Sequence, residues 1–168
     1  MSAPRYAPSR ELPPYRYVPG RGLPHPVNDP DGHSYQEDPD APSDPWEAQD
    51  WPTLEDFLYG VDLYNHGYWW EAHEAFEGVW QVAPTKDTGE LLQGLIQIAV
   101  ALLKAWQGQK RPARNLLDRG RARWDTIGTP LLMGIDREAV LRDAEAFIQA
   151  RARGAQAELP WIRLVFPE

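Results

Sequence analysis

His73 and Glu77 stand four residues apart in Trp69-Trp70-Glu71-Ala72-His73-Glu74-Ala75-Phe76-Glu77-Gly78-Val79-Trp80. On a helix, positions i and i+4 share a face. An imidazole and a carboxylate held there can share a proton, or offer one nitrogen and one oxygen to a divalent metal. At about 100° per residue, Trp69, Phe76 and Trp80 fall within roughly 60° of His73 on one side, and Glu77 about 40° to the other. His73 is therefore expected on the edge of the apolar face. Glu71 and Glu74 are expected farther round, toward solvent. A second polar stripe follows, where Glu90, Gln93, Gln97 and Lys104 lie within about 60° of one another on an otherwise apolar segment. Glutamines buried there need hydrogen-bond partners. Consecutive helices joined by a short loop pack antiparallel, which would bring Gln93 and Gln97 near His73 and Glu77.

Three chemistries suit this constellation. One is a satisfied polar network that fixes helix register. Another is a ligand groove in which Trp69, Trp70 and Trp80 are apolar walls and His73, Glu77, Gln93 and Gln97 are polar anchors. The third is a metal site with His73 and Glu77 as ligands. For that site, His25-Pro26-Val27-Asn28-Asp29-Pro30-Asp31-Gly32-His33 supplies further candidates in His25, Asp29, Asp31 and His33. A mixed histidine–carboxylate set of this kind suits zinc, iron or manganese. The same tract also reads as turns closed by Asx hydrogen bonds. It lacks the alternating ligands and final glutamate of an EF-hand. Position 77 would have to be histidine for the two-histidine zinc-protease motif. No serine–histidine–aspartate arrangement or glycine-rich phosphate loop is recognisable. The leading expectation is thus a non-enzymatic binding or interaction module for a small molecule or a protein. The alternative is a metal-dependent hydrolase whose bound water is the nucleophile.

These residues need helices to position them. Leu54, Phe57, Leu58, Val61 and Tyr64 follow the i, i+3, i+4, i+7 rule, with Thr53 and Asp56 as a cap and Asn65-His66-Gly67 as the stop. Further helices are expected at about Tyr68–Gln81, Thr88–Gln107, Pro112–Ile127 and Asp136–Arg153. The third is apolar nearly all round and therefore central. A shift of 41 positions lays Leu54 on Leu95, Phe57 on Ile98, Val61 on Leu102, Gly67 on Gly108, Ala72 on Ala113 and Phe76 on Leu117. The unit is a helical hairpin with a glycine turn, like the tetratricopeptide unit in plan, and two copies plus a fifth helix make an all-α compact bundle. The apolar tail Leu159-Pro160-Trp161-Ile162-Arg163-Leu164-Val165-Phe166 is expected to dock in extended form.

Of the 17 prolines, 12 lie at or before Pro52, which excludes a long helix or central strand from residues 1–52. That segment reads as an arm separate from the helical domain at 53–168. Composition fits a polyproline-like disordered tail. The aromatic residues of Pro13-Pro14-Tyr15-Arg16-Tyr17 and the turn chemistry of Asp29-Pro30-Asp31-Gly32 fit an arm wrapped on the core instead. The run Leu95–Leu103, broken by Gln97, is shorter than a membrane span. The N-terminal stretch lacks the continuous apolar core of a secretory signal. The chain has no cysteine, so thiolate metal sites and disulfides are excluded, and a cytoplasmic setting is expected. Its formal net charge of −8 opposes general affinity for nucleic acid or anionic membranes. Lys110, Arg111, Arg114, Arg119, Arg121 and Arg123 are spread over several faces, so they read as a solvated helix, some of them pairing with the acidic half of the arm.

Two stretches carry a family resemblance. The first is Leu63-Tyr64-Asn65-His66-Gly67-Tyr68 running into the tryptophan- and glutamate-rich segment to Trp80, with a tryptophan seven residues after His73. The second is Leu91-Leu92-Gln93-Gly94-Leu95-Ile96-Gln97-Ile98-Ala99-Val100-Ala101. Together they resemble the domain of unknown function 309 family over roughly residues 54–127. The resemblance implies a small all-α bundle from bacteria or archaea, and it implies no activity.

Overall fold

Thr85 opens the longest helix. Its hydroxyl accepts from the Thr88 amide at 3.1 Å and the Thr88 hydroxyl accepts from the Thr85 amide at 3.1 Å, a reciprocal capping box. In the computed structural model, which describes residues 2–38 and 40–168, this helix is α3, Lys86–Trp106. Around it stand α1, Glu55–Asn65, α2, Trp69–Trp80, α4, Lys110–Trp124, and α5, Arg137–Ala152. Leu91, Leu92, Leu95, Ile98, Ala99 and Leu102 of α3 are wholly buried, as the centre of an all-α bundle requires. By length and composition α3 is also apolar enough to cross a bilayer, but 61% of its apolar window is buried inside the protein.

The two hairpins superimpose in their chemistry. Gly67 and Gly108 both adopt φ +79°, the left-handed region that other residues reach only at a cost. Past each glycine the same bond recurs, Tyr68 N donating to Leu63 O and Gln109 N donating to Lys104 O, each at 2.9 Å. Ala72 and Ala113, like Phe76 and Leu117, are fully buried at equivalent places. In the second hairpin the closest approach falls at Gly94, where a Cβ would lie 2.0 Å from Trp124 Nε1. That indole donates to Leu91 O at 3.0 Å, locking α4 onto α3.

Several helix ends differ from the sequence expectation. Thr53 does not cap α1; it closes a short 3-10 turn, Ala48–Thr53, and α1 begins after Leu54 without a side-chain cap. The helix around Pro112 starts two residues earlier, at Lys110. Asp136 does cap α5, accepting from Ala139 N at 3.1 Å. A two-residue antiparallel ribbon, β1 Leu131–Leu132 with β2 Ile135–Asp136, joins α4 to α5.

The proline-rich arm lies along α1 and α2. Buried Asp62 on α1 takes the amides of Tyr6 at 2.6 Å and Ala7 at 2.9 Å, and Arg5 Nε at 2.9 Å. Farther on, the hydroxyls of Tyr59 and Tyr68 donate to the carbonyls of Glu11 and Pro13. Gln107 Nε2 donates to Pro19 O. The return leg runs beside α2, with Ser43 N donating to Gly78 O and Trp46 Nε1 donating to Val79 O. One turn after Asp62, Asn65 holds the C-terminal tail by two bonds to Ile162, donating to its carbonyl at 2.9 Å and accepting from its amide at 2.7 Å.

The arginines of α4 turn away from the arm. Arg114 and Arg121 clasp Glu145 of α5 at 2.7 and 3.0 Å, and Arg123 reaches Glu90 of α3 at 3.1 Å. Two carboxylates already face α4 across the helix seams, so the pairing is made inside the bundle.

Candidate functional site

On α2, His73 donates Nδ1–H to the carbonyl of Trp70 at 2.7 Å, which commits the other ring nitrogen, Nε2, to the acidic side. There it meets Glu74 Oε1 at 3.2 Å and Glu77 Oε1 at 3.7 Å. Glu74 is thus the nearer carboxylate, although the helical wheel points it about 100° away from its neighbour His73. The ligand atoms of His73, Glu74 and Glu77 lie within 4.8 Å of one another, the geometry of one nitrogen and two oxygens around a cation. Burial and the neighbouring Glu77 and Asp40 charges push the Glu74 carboxyl above its ordinary range, against the pull of His73.

The other sequence candidates go elsewhere. Trp69 is a core residue, its ring 5.2 Å from Phe147 and 6.1 Å from Trp106, and it ties α2 to α3 and α5. Trp80 is exposed at the end of α2. Gln93 and Gln97 are half-buried on α3 and make no hydrogen bond to His73 or Glu77 among the described residues; Gln97 Oε1 is buried without a partner. In the arm, His25 packs edge-on against Tyr17 and Trp70, and its Nδ1 accepts from the Val27 and Asn28 amides. Asp29 closes an Asx turn onto the Asp31 amide at 3.0 Å. His33 goes to a different glutamate.

That glutamate is Glu71, expected toward solvent and found buried at 6% exposure. The expectation fails because the wheel describes one helix alone, and the face opposite His73 is covered here by the arm. Glu71 Oε1 accepts from Tyr17 N at 2.7 Å and stands 3.4 Å from His33 Nε2, while Oε2 is buried with no partner among the described residues. Burial drives the Glu71 carboxyl up to about 7, and it drives His33 down. Tyr15 braces the pair, its hydroxyl accepting from His33 N at 3.1 Å and donating to Pro24 O at 2.8 Å.

Glu71 and His33 belong to the wall of a cavity of about 490 Å³ between the arm and the α1–α2 hairpin. Tyr59 and Asp56 of α1, Trp70, Glu74 and Ala75 of α2, and Leu12, Glu37 and Ser43 of the arm line it. Glu74 is shared: it lines the cavity and also pairs with His73. Gln93, Gln97, Trp69 and Trp80 do not line it. The only advance signal of this site is the arm's aromatic content, Tyr15 and Tyr17 in a segment otherwise composed like a tail.

No curated protein matches the chain, and neither does any solved structure. Residues 57–116, from the first turn of α1 into α4, match the family model described as domain of unknown function (DUF309).

Proposed function

We propose that the protein is a ligand-binding module, and that its site is the cavity roofed by the arm on the α1–α2 hairpin. The observation that carries this reading is the cavity itself, whose wall holds the buried Glu71 against His33. The volume, about 490 Å³, suits a metabolite-sized ligand. The experiment is a ligand-observed NMR screen of small polar molecules against the full chain and against Ala75→Phe, which fills the cavity from α2. Binders to the wild type that disappear with Ala75→Phe support the module. A screen with no binders, or with binders indifferent to the filled cavity, overturns it.

A second reading, a metal-dependent hydrolase, is favoured by the convergence of His73, Glu74 and Glu77. These three residues would hold zinc, iron or manganese, leaving coordination positions for water. Mass spectrometry on untagged protein tests it. One metal ion per chain, lost in His73→Ala, supports the site. A folded, metal-free protein that takes up none of these ions removes it.

A further inference from the structure

The bundle holds the first leg of the arm as a groove holds a peptide, by its backbone. Asp62 and Glu71 accept from the amides of Tyr6, Ala7 and Tyr17. Tyr59, Tyr68 and Gln107 donate to the carbonyls of Glu11, Pro13 and Pro19. Prolines at 4, 8, 13, 14 and 19 fall outside the bonded amides, where no N–H is called for and extended chain is favoured. We propose that this face of α1, α2 and the end of α3 is a docking track for an extended, arginine- and proline-rich peptide of a partner protein, and that the arm is its occupant in cis. Occupancy of the track does not depend on a ligand in the cavity or a metal at His73.

The charges on the two sides are complementary. Residues 1–24 carry four arginines against one glutamate, on a chain whose formal net charge is −8. Three of these arginines are seated on the track, five and then six residues apart. Arg5 pairs with Asp62 at 2.9 Å. Arg10 pairs with Asp56 at 2.8 Å and lies 3.9 Å from the centroid of the Tyr59 ring, and Arg16 stands 5.5 Å from that of Tyr68. Tyr17 then packs edge-on against Trp70 with the ring centroids 5.2 Å apart. An acidic peptide would meet repulsion from Asp56, Asp62 and Glu71. A helical one would already have spent its amides and carbonyls on itself. The segment that matches the family model, 57–116, contains Tyr59, Asp62, Tyr68, Trp70, Glu71 and Gln107 and none of the arm. The receiving side thus lies inside the matched segment and its occupant outside it.

A protease recognition sequence inserted between the exposed Gly22 and Leu23 tests this on the full chain, because the cut turns residues 1–22 into a bound peptide. The nicked protein should keep its helical circular-dichroism signal. It should exchange the fragment for a fluorescein-labelled peptide of residues 1–22, one per chain by fluorescence anisotropy. A second peptide keeps Arg5, Arg10, Arg16, Tyr17 and the prolines and has serine everywhere else; it should compete within tenfold of the first. The same peptide with the three arginines changed to glutamate should compete at least tenfold more weakly than the serine peptide. Failure of the labelled peptide to bind, or equal competition by the glutamate peptide, overturns the proposal. So does binding of residues 1–22 without binding of the serine peptide, since the face would then fit its own arm alone. If the nicked protein loses its helical signal, the intact chain decides. It has no cysteine, so Ser2→Cys takes a single fluorophore. Serine peptide at millimolar concentration, about the effective concentration of a tethered arm, should free the arm and lower the anisotropy; no change overturns the track. If light scattering finds the intact chain dimeric and the cut returns it to monomer, the occupant is a second copy's arm, and the proposal falls.

Discussion

At the scale of single residues, Glu71 sets the energetics of the site. Its carboxyl is raised from 4.5 to about 7, chiefly by burial. The folded chain therefore keeps a proton that the unfolded chain releases between those values. Stability from this residue is greatest below pH 4.5, declines as the pH rises toward about 7, and is level above that. The whole difference amounts to about 3 kcal/mol. Glu71→Gln removes the titration while keeping an acceptor for Tyr17 N, so it should stabilise the protein by up to about 3 kcal/mol at pH 8 and hardly at all at pH 4.5. Urea unfolding at the two pH values measures this, and equal effects at both would contradict it. His33 works in the opposite sense. Its lowered pKa means that the unfolded chain takes up the proton first as the pH falls below 6.5, so stability is lost toward acid. Once Glu71 is removed, stability just below pH 6.5 should rise with pH.

At the scale of elements, the hairpins were readable and the contacts between distant segments were not. The pairing of Gly67 with Gly108, and of Ala72 with Ala113, follows from local rules: helical periodicity, a left-handed turn residue, small side chains at a crossing. Such rules act within a few residues and leave their mark in sequence. Gly94 illustrates the limit. Inside an apolar helix it reads as a tolerated small residue, yet its missing Cβ is what admits the Trp124 indole. Gly94→Ala should cost about 1–3 kcal/mol, because the alanine methyl meets a ring that is hydrogen-bonded to Leu91 O and cannot retreat freely. Gly89→Ala on the same helix is the contrast. Its Cβ would meet only the Ala83 Cβ, at 3.9 Å, so the better helix former should add about 0.5–1 kcal/mol. Chemical denaturation of the two variants separates packing from propensity, and a loss in both would refute the contrast. Glu71 was illegible for a similar reason. A wheel assigns faces relative to one helix, and the arm that buries this face joins it across more than 50 residues of sequence, as the Tyr17–Glu71 bond does.

At the scale of the whole molecule, one helix holds both ends of the chain. Asp62 and Asn65, adjacent on the same side of α1, are buried polar residues whose partners lie in the N-terminal arm and the C-terminal tail. The two ends also meet each other, through the Tyr6 hydroxyl, which accepts from Leu164 N at 3.0 Å, and through the rings of Tyr6 and Phe166. The arm roofs the cavity, so its anchorage governs whether a site exists at all. Asp62→Ala strips the acceptor from two backbone amides and leaves the part-exposed Arg5 without its carboxylate, a loss of about 1–3 kcal/mol. The helical bundle does not depend on those bonds, so circular dichroism should keep its helical signal while trypsin cuts after Arg5 and Arg10 many times faster than in the wild type. Asn65→Ala should free the tail near Ile162 and leave those two cleavages slow, since Asp62 still holds the amides of Tyr6 and Ala7 even when the Tyr6 hydroxyl loses its contact with the tail. Any ligand held in the cavity should protect Arg10 from trypsin in the wild type and fail to do so in Asp62→Ala. If Asp62→Ala is cut no faster than the wild type, the arm is held by its remaining contacts with α1 and α2, and the cavity roof does not depend on Asp62.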